Sequence, residues 1–401
     1  MTDAAGRIRV LHFDNARVRG GVQEHVLTLL RGLDRACFKP MIAAHPQLID
    51  LLGSDLPADV EAIPVELESP RDLAAAAQFI RILKNKLVDI VHSHMFQASR
   101  LATPLAWLAG VPVRIETPHI RESWRRGWIK GSYVVDRVIG RFVTGYIAVS
   151  ESNRRYLVDD KGLPQAKITV VRNGISLDRL NPEGLPPPTL RRSLGIREDV
   201  PVVAAIGRLE PQKGHRVLLQ AWQSVVQSFP LAILVCVGAG QLRGQLEAFV
   251  SNADLGGSVR FAGYQSNVAD WLALVDFTVL PSFFEGLPLA ALESLAAGKP
   301  VIATAVDGTA EVVLDGRTGV LVPPGEPRPL AAAICRLLAN PGLTRILGSN
   351  GRRWVKQHFD ARQQIVKTQS VYEEALRLSG KSHKQQAETI KGYAISSSAQ
   401  S

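Results

Sequence analysis

Apolar, β-branched runs alternate with amphipathic segments along most of the chain, and many runs end at Gly, Pro, Ser or His. This pattern is typical of parallel strands joined by crossover helices. In the first half we predict strands over residues 8–13, 87–94, 111–118, 146–150 and 168–174. In the second half we predict strands over residues 202–209, 231–238, 259–264, 277–282, 300–306 and 320–325. The alternation predicts an α/β protein with two doubly wound, Rossmann-like domains.

Changes in composition predict the domain boundaries. Residues 181–201 are rich in proline and polar residues and contain no strand pattern, so we predict an inter-domain linker. The first domain is then residues 1–180, and the second is residues 202–358. Residues 380–401 have little apolar content and are expected to be a disordered tail.

Composition narrows the class of protein. The 401 residues are 46% hydrophobic, which is enough for a large core. No run approaches the roughly 18 apolar residues of a membrane span, and the N-terminus lacks a signal-peptide pattern. The three cysteines, Cys37, Cys236 and Cys335, fit neither a disulfide framework nor a zinc site. We therefore expect a cytoplasmic protein.

The charge balance predicts anionic partners. A formal net charge of +10 suits nucleotide phosphates, lipid headgroups or nucleic acid. The chain has no basic tail, zinc-finger spacing or ribonucleoprotein motif, so nucleic acid is the minor alternative. We expect no nucleic-acid partner.

Two segments that follow strands could bind phosphate. Gly20-Gly21 precede an amphipathic helix, whose first backbone N–H groups can approach a phosphate. A flexible loop is the alternative there. Arg208 and Lys213 lie in GRLEPQKG, where two cations can converge on a diphosphate. Solvated surface cations are the alternative.

A third glycine segment, VCVGAGQLRG, looks like a dinucleotide fingerprint at first sight. Gly238 and Gly240 follow a strand, but Gly244 is one residue too far for that motif. No ribose-binding acid follows on the next strand. An oxidoreductase is disfavoured.

Residues 281–300 contain the densest pattern of candidate functional residues. Pro288 suits the first turn of a helix and Gly298 its C-terminal stop, so we predict a helix from Pro288 to Ala297. Glu293 lies on that helix, and Glu285 lies in the loop before it. Two such carboxylates can bind vicinal hydroxyls of a ligand. The alternative is that both are ordinary loop and helix-surface residues.

Taken in order, these motifs resemble those of the retaining glycosyltransferases of glycosyltransferase family 4, which have the GT-B architecture. The resemblance covers residues 7 to 375 and rests on these residues: Gly20, Gly21, Arg208, Lys213, Glu285 and Glu293. It implies two domains facing across a cleft, with a nucleotide sugar against the second and the acceptor entering from the first. A helix over residues 359–379 would cross back to the first domain.

The resemblance also implies roles for single residues. Arg208 and Lys213 would bind the diphosphate, Glu293 the ribose hydroxyls and Glu285 the sugar hydroxyls. The predicted donor site comprises Gly20, Gly21, Arg208, Lys213, Glu285, Gly286, Leu287 and Glu293. The sequence departs from the family at Asp307, which stands where a Gly-Gly pair usually begins.

Histidines provide acceptor-side candidates. His119 follows a strand and resembles the family's acceptor-side active-site histidine, and His94 is a weaker candidate. His92 and His94 point to the same side of a strand, but no third ligand and no HExxH motif accompanies them. The chain also has no D-x-D pair. We therefore predict no metal, with Glu285, His119, Arg208 and Lys213 as the catalytic residues.

Residues 121–141 suggest where the enzyme works. They hold six basic residues against two acidic ones, and Trp124 and Trp128 lie one helical turn apart. Tryptophan favours membrane interfaces, and clustered cations favour anionic headgroups. The segment predicts peripheral binding to an anionic membrane surface. The alternative is a solvated cationic segment whose tryptophans pack on the first domain.

The combined prediction is a metal-independent, retaining hexosyltransferase without a cofactor. It would move a sugar from a nucleoside diphosphate donor to a hydroxyl of a glycan or lipid-linked acceptor, in surface polysaccharide or glycolipid synthesis. Two alternatives remain open: a GT-B nucleotide-sugar epimerase, and a non-catalytic sugar- or anion-binding protein.

Overall fold

A computed structural model describes residues 6–122, 133–177, 180 and 188–380. The strands are β1 (Ile8–Asp14), β2 (Phe38–Ala44), β3 (Glu61–Pro64), β4 (Ile90–His94), β5 (Val113–Thr117), β6 (Gly145–Ala148), β7 (Ile168–Val170), β8 (Val202–Ile206), β9 (Ile233–Val237), β10 (Val259–Gly263), β11 (Phe277–Leu280), β12 (Val301–Thr304) and β13 (Gly319–Val322). The α-helices are α1 (Gly21–Gly32), α2 (Pro46–Leu52), α3 (Leu73–Asn85), α4 (Phe96–Leu108), α5 (Tyr133–Gly140), α6 (Glu151–Arg155), α7 (Pro188–Ser193), α8 (His215–Ser228), α9 (Arg243–Asn252), α10 (Val268–Leu274), α11 (Leu289–Ala296), α12 (Thr309–Val312), α13 (Pro327–Ala339), α14 (Pro341–His358) and α15 (Ala361–Leu378).

The chain forms two compact units. The first comprises Met1–Val171 and Gln364–Ser401, and the second comprises Arg172–Gln363. Each unit contains one parallel β-sheet with helices. The prediction of two doubly wound α/β domains is confirmed.

The first unit is built on a seven-stranded sheet in the order β3-β2-β1-β4-β5-β6-β7. Along β1, Leu11 and Phe13 join one buried cluster and Val10 joins another. Both faces are therefore covered, as parallel sheets require. Tyr372 of α15 is fully buried in the second of these clusters. The strand order reverses between β1 and β4, and ligands bind beyond the carboxyl ends of strands at such a point.

Two strands of this sheet were not predicted. Strand β2 contains Lys39 and Pro40, which interrupt its apolar run, yet it lies between β1 and β3. Strand β3 is a short edge strand that begins at Glu61 and ends at Pro64. Both depend on pairing with neighbours that are distant in sequence, and local pattern does not reveal such pairing.

The second unit is built on a six-stranded sheet in the order β10-β9-β8-β11-β12-β13. All six strands predicted for this half are present, with slightly shorter ends. The largest core residue is Trp222 of α8, which is fully buried. The order reverses between β8 and β11, so the loops that follow these two strands meet at the carboxyl edge of the sheet.

The boundaries between the units differ from those predicted at residues 180 and 359. Ile175 pairs with Asp360, and the backbone N–H of Ala361 donates to the carbonyl of Ile175. The second unit therefore begins at Arg172 and ends at Gln363.

The described part of the predicted linker contains helix α7, and four apolar residues pack on the second sheet: Leu190, Leu194, Ile196 and Val200. This segment is thus part of the second unit.

Two predicted features lie outside the described residues. They are the tail after residue 380 and the part of the basic segment that contains Trp124 and Trp128. Among the described helices, none alone has the length and apolar composition of a membrane span. One pair, α13 and α14, meets that test jointly but is bent by 101°.

Candidate functional site

The loops after β8 and β11 lie in contact at the carboxyl edge of the second sheet. After β8 the chain makes a 3-10 turn over Pro211–Lys213, and Gly214 then begins α8 with a φ of +66°. A Cβ on Gly214 would lie 2.0 Å from the carbonyl oxygen of Pro281. Only glycine permits both this conformation and this approach.

The contact brings two predicted site residues together. Nζ of Lys213 lies 2.5 Å from Oε1 of Glu285. The same oxygen accepts a hydrogen bond from the hydroxyl of Ser282 at 2.7 Å. The side chain of Glu285 is 5% exposed and that of Lys213 is 17% exposed. The predicted catalytic carboxylate is therefore held by an ion pair with the predicted diphosphate-binding lysine.

Further hydrogen bonds hold the loop that carries Glu285. The carbonyl of Gln212 accepts from the backbone N–H of Phe283, and the side-chain amide of Gln212 donates to the carbonyl of Phe284, each at 2.8 Å. Nδ2 of the buried Asn173 donates to the carbonyl of Leu287 at 3.1 Å. Sequence reasoning missed Gln212 and Asn173, because neither residue is recognisable as a loop support without its distant partner.

Arg208 differs from Lys213 in its surroundings. Its side chain is exposed and makes no hydrogen bond or ion pair with any residue that the structure describes. It is therefore available to bind an anion. The nearby glycines Gly238 and Gly240 have a packing role, since a Cβ on them would lie 2.0 Å from the Gly207 carbonyl oxygen and 2.5 Å from that of Leu209. Their place in a fingerprint-like segment thus reflects close approach of the Arg208 loop.

The helix predicted from Pro288 to Ala297 is present as α11, with these two residues as its caps. Glu293 is on this helix and is half-buried. Gly286 and Leu287, the other predicted donor-site residues, are buried in the loop between Glu285 and the helix.

The conformation and the hydrogen bond of Asp307 show what this residue does where the family usually has glycine. Its φ is +40°, a conformation that favours glycine. Its carboxylate accepts a hydrogen bond of 3.0 Å from the backbone N–H of Glu285. The carboxylate of Asp307 therefore accepts a hydrogen bond from the loop that carries Glu285 and supports the position of that residue.

His215 is a buried residue of this region that sequence reasoning did not select. Neither ring nitrogen has a hydrogen-bond partner within the described part of the chain. Burial, with a smaller contribution from the Lys213 charge, lowers the pKa of His215 to about 4. The ring is therefore neutral at neutral pH.

In the first unit, five buried histidines converge where the order of the sheet reverses. We call this group the histidine cluster: His12 of β1, His25 of α1, His92 and His94 of β4, and His119 after β5. Burial lowers the pKa of four of them, to about 3 for His12 and well below the usual value for His92, His94 and His119, and neighbouring histidines contribute. Those four imidazoles are neutral at neutral pH.

Hydrogen bonds link the histidine cluster to its surroundings. His94 Nδ1 lies 3.1 Å from His119 Nε2, and His94 Nε2 lies 3.1 Å from His12 Nδ1. His92 bonds instead to the hydroxyls of Tyr372 and Thr117, at 2.6 and 2.7 Å. The two predicted acceptor-side residues, His94 and His119, are thus in direct contact.

The spacing of the histidine cluster bears on metal binding. The prediction counted only His92 and His94, and the structure adds ligands from distant segments. Two triads, His12/His92/His94 and His25/His94/His119, place one nitrogen from each member within 4.8 Å of the others. Imidazole nitrogens at such distances suit transition metals. The expectation of no metal remains a prediction.

The other first-unit candidates are Gly20 and Gly21. Gly20 precedes α1 as its N-cap without a side-chain cap, and Gly21 is exposed as its first residue. The helix follows β1, as predicted, so its first N–H groups lie on the carboxyl side of that strand.

The described part of the basic segment includes an exposed apolar helix face. We call it the α5 face: Val134, Val135 and Val138, which are 52%, 49% and 45% exposed. Phe142, just after α5, packs against Trp107 of α4 with ring centroids 5.0 Å apart. Arg137 and Arg141 are exposed on the same segment.

The two acidic residues of that segment are not at its surface. Glu122 and Asp136 both bind Lys161, whose Nζ lies 2.8 and 2.7 Å from their carboxylate oxygens. All three side chains are at most 4% exposed. The exposed charge on the described part of the segment is therefore basic.

Comparisons with known proteins find similarity to glycosyltransferases. Residues 19–179 match the family model described as Glycosyltransferase Family 4, and residues 187–354 match the model described as Glycosyl transferases group 1. A D-inositol 3-phosphate glycosyltransferase of Thermobispora bispora is 30% identical over 320 residues, covering 72% of this chain and 71% of that protein.

An Escherichia coli protein, UDP-Gal:alpha-D-GlcNAc-diphosphoundecaprenol alpha-1,3-galactosyltransferase, is 26% identical over 308 residues, covering 75% of this chain and 79% of that protein. Among solved structures, Anabaena Alr3699/HepE in complex with UDP-glucose has a TM-score of 0.79 at 21% identity, covering 91% of this chain and all of that one. At this level of sequence identity, the similarity shows a shared fold only.

Proposed function

Because the chain belongs to glycosyltransferase family 4 and has its GT-B fold, we propose that this glycosyltransferase moves a hexose from a nucleoside diphosphate sugar to a hydroxyl of a glycan or lipid-linked acceptor, with retention of anomeric configuration. The observation that carries the proposal is the ion pair of Lys213 with Glu285 at the carboxyl edge of the second sheet. Ligands of doubly wound sheets bind at this place.

Charge in this region suits a departing diphosphate. When the bond to the sugar breaks, negative charge develops on the leaving phosphate, and fixed cations stabilise it. Arg208 is exposed and without a side-chain partner among the described residues, so it can bind a phosphate directly. Lys213 is the second cation. In this mechanism these two side chains neutralise the diphosphate without a metal ion.

Donor binding would exchange the partners of Lys213. In the structure its ammonium binds Glu285. An incoming diphosphate carries more negative charge than one carboxylate and would draw the ammonium toward it. Glu285 would then be free to accept hydrogen bonds from sugar hydroxyls, while Ser282 and Asp307 keep its side chain and its backbone in place. Glu293 would bind the ribose hydroxyls from α11.

The acceptor is proposed to be lipid-linked and to lie at an anionic membrane surface. The Escherichia coli relative is named for a diphosphoundecaprenol acceptor. The α5 face is apolar, and Arg137 and Arg141 on the same segment are exposed and basic. Apolar side chains beside cations are the combination that binds anionic bilayers. His119 precedes this segment in the chain and would serve the acceptor side.

A donor panel tests the proposal. The full chain is incubated with UDP, GDP, ADP and TDP and its melting temperature is measured, because a ligand of the folded state raises it. Release of nucleoside diphosphate from the matching sugars is then followed with and without acceptor extracts.

Release that depends on acceptor supports the transferase. Release without acceptor indicates the epimerase alternative, and binding without turnover indicates a binding protein. Activity abolished by EDTA and restored by magnesium contradicts the metal-free mechanism.

A further inference from the structure

Three members of the histidine cluster form a linear hydrogen-bonded chain. Nδ1 of His12 lies 3.1 Å from Nε2 of His94, and Nδ1 of His94 lies 3.1 Å from Nε2 of His119. The middle ring uses both of its nitrogens in these bonds. Each neutral imidazole carries one ring hydrogen, so the tautomer of any ring in this chain fixes the tautomers of the other two.

A neutral chain of this kind has two possible arrangements of its hydrogens. In the first, His12 Nδ1–H donates to His94, His94 Nδ1–H donates to His119, and His119 keeps its own hydrogen on Nδ1. In the second, every donation is reversed. His119 then has a bare Nδ1, and His12 carries its hydrogen on Nε2.

The environment of His12 selects the first arrangement. Its Nε2 is buried and has no hydrogen-bond partner among the residues that the structure describes. The second arrangement would place an N–H there, and buried N–H groups without an acceptor are rarer than buried acceptors without a donor. The first arrangement leaves only a bare nitrogen at this position.

The outer end of the chain is different. His119 Nδ1 makes no hydrogen bond with the described residues, and His119 is 5% exposed whereas His12 is fully buried. His119 is therefore the end of the chain that a ligand can reach. The His119 ring is held from its side by His25, which stands almost perpendicular to it with ring centroids 4.5 Å apart. Position and tautomer are therefore both determined from within the cluster.

We propose that His12 and His94 are positioning residues that keep His119 in the Nδ1–H tautomer, so that His119 meets the substrate as a neutral hydrogen-bond donor to an oxygen atom and not as a general base. The oxygen can belong to a sugar hydroxyl or to a phosphate, which offer the same lone pairs. The inference rests on the proposed function only for the identity of the substrate. The tautomer is a property of the free protein.

Nuclear magnetic resonance of the full chain labelled with ¹⁵N-histidine tests the tautomer directly. Long-range ¹H–¹⁵N correlations report which nitrogen of each ring carries the hydrogen, and His119→Gln assigns the signal. We expect His119 to carry hydrogen on Nδ1 and to have a bare Nε2. A bare Nδ1 on His119 in the wild-type protein overturns the proposal, whatever the enzyme turns over.

Two substitutions of His12 test its positioning role. His12→Asn keeps a side-chain N–H near the position of Nδ1 and can still donate to His94, whereas His12→Leu cannot. We expect the Asn variant to keep the His119 tautomer and its kcat within about threefold. In the Leu variant both His119 tautomers should appear, and kcat should fall in proportion to the share of His119 that loses its hydrogen from Nδ1. The KM for the nucleotide sugar should stay unchanged if His119 contacts the acceptor and rise if it contacts the donor.

His92→Asn is the matched control for disruption of the cluster. His92 is equally buried, but its nitrogens bond to Tyr372 and Thr117, outside the chain of three. Its variant should retain the His119 tautomer even if it melts at a lower temperature. Equal tautomers and equal kcat in the Asn and Leu variants of His12 would refute the positioning role. The predicted tautomer in a protein that transfers no sugar would instead refute the proposed function alone.

Discussion

Lys213 and Arg208 have the same proposed role on the diphosphate but different surroundings in the free protein, and this difference yields a sharp prediction. Lys213→Met should lower both stability and turnover. Arg208→Met should lower turnover alone. Methionine keeps most of the apolar stem of either side chain and removes its charge.

The expected losses of folding stability follow from how deeply each side chain is buried. Lys213 Nζ is 2.5 Å from Glu285 Oε1, and the two side chains are 17% and 5% exposed. Breaking a buried pair leaves an uncompensated charge and costs about 3–5 kcal/mol, and the partial exposure of Lys213 favours the lower end, about 3 kcal/mol. Arg208 is exposed, so its substitution should change stability by less than about 0.5 kcal/mol. Each substitution should cost about 10²–10³ in kcat, since each removes a preorganised charge.

Urea unfolding and steady-state kinetics on the full chain measure these quantities. Glu285→Gln completes a double-mutant cycle, because the amide keeps the shape of the carboxylate without its charge. The double variant with Lys213→Met should be more stable than Lys213→Met alone, since no buried charge is then left unpaired. Additive losses of stability would refute the ion pair, and normal turnover in both single variants would refute the diphosphate assignment.

Three further outcomes are expected. Burial lowers the pKa of His12 to about 3 and that of His215 to about 4, whereas an unfolded histidine has a pKa of about 6.5. Below pH 6.5 the unfolded state therefore binds more protons, and the free energy of unfolding should fall on acidification by up to about 1.4 kcal/mol per pH unit for each histidine. Equal urea midpoints at pH 7 and pH 5 would contradict this. Asp307→Ala should lower the melting temperature more than Asp307→Asn, because Asn tolerates the φ of +40° better than Ala and its side-chain oxygen can still accept from the backbone N–H of Glu285. The reverse order would contradict both reasons. Changing the three valines of the α5 face to serine should weaken the salt-sensitive flotation of the protein with anionic liposomes. The control is Ile346→Ser on α14, which changes a similarly exposed apolar residue and should leave flotation unchanged. Wild-type protein that stays in the soluble fraction at low salt would refute the proposed membrane binding.

The sequence predicts those features that depend on local pattern. Five of the six strands of the second unit contain no charged residue, and β10 contains one, Arg260. Helix α11 has a proline at its start and Gly298 after its end. Each of these elements could therefore be located without any long-range contact. Strand β2 could not, because Lys39 and Pro40 break its run and only its pairing with two neighbours makes it a strand.

Parts of the site also depend on contacts between distant segments. His12 lies within a strand and His25 within a helix, and neither has a motif that links it to His94, which lies 82 residues after His12 and 69 residues after His25. The role of Asp307 could not be predicted from the sequence for a similar reason. The sequence shows that an aspartate stands where the family usually has glycine, but only the folded structure shows that its carboxylate accepts a hydrogen bond from the backbone N–H of Glu285.

The anomeric configuration of the product shows whether the sugar is transferred with retention, as proposed. The full chain is supplied with the α-linked nucleotide sugar that raises its melting temperature, together with an acceptor, and the transferred sugar is examined by NMR. We expect an α-linked product. A β-linked product would contradict the retaining mechanism.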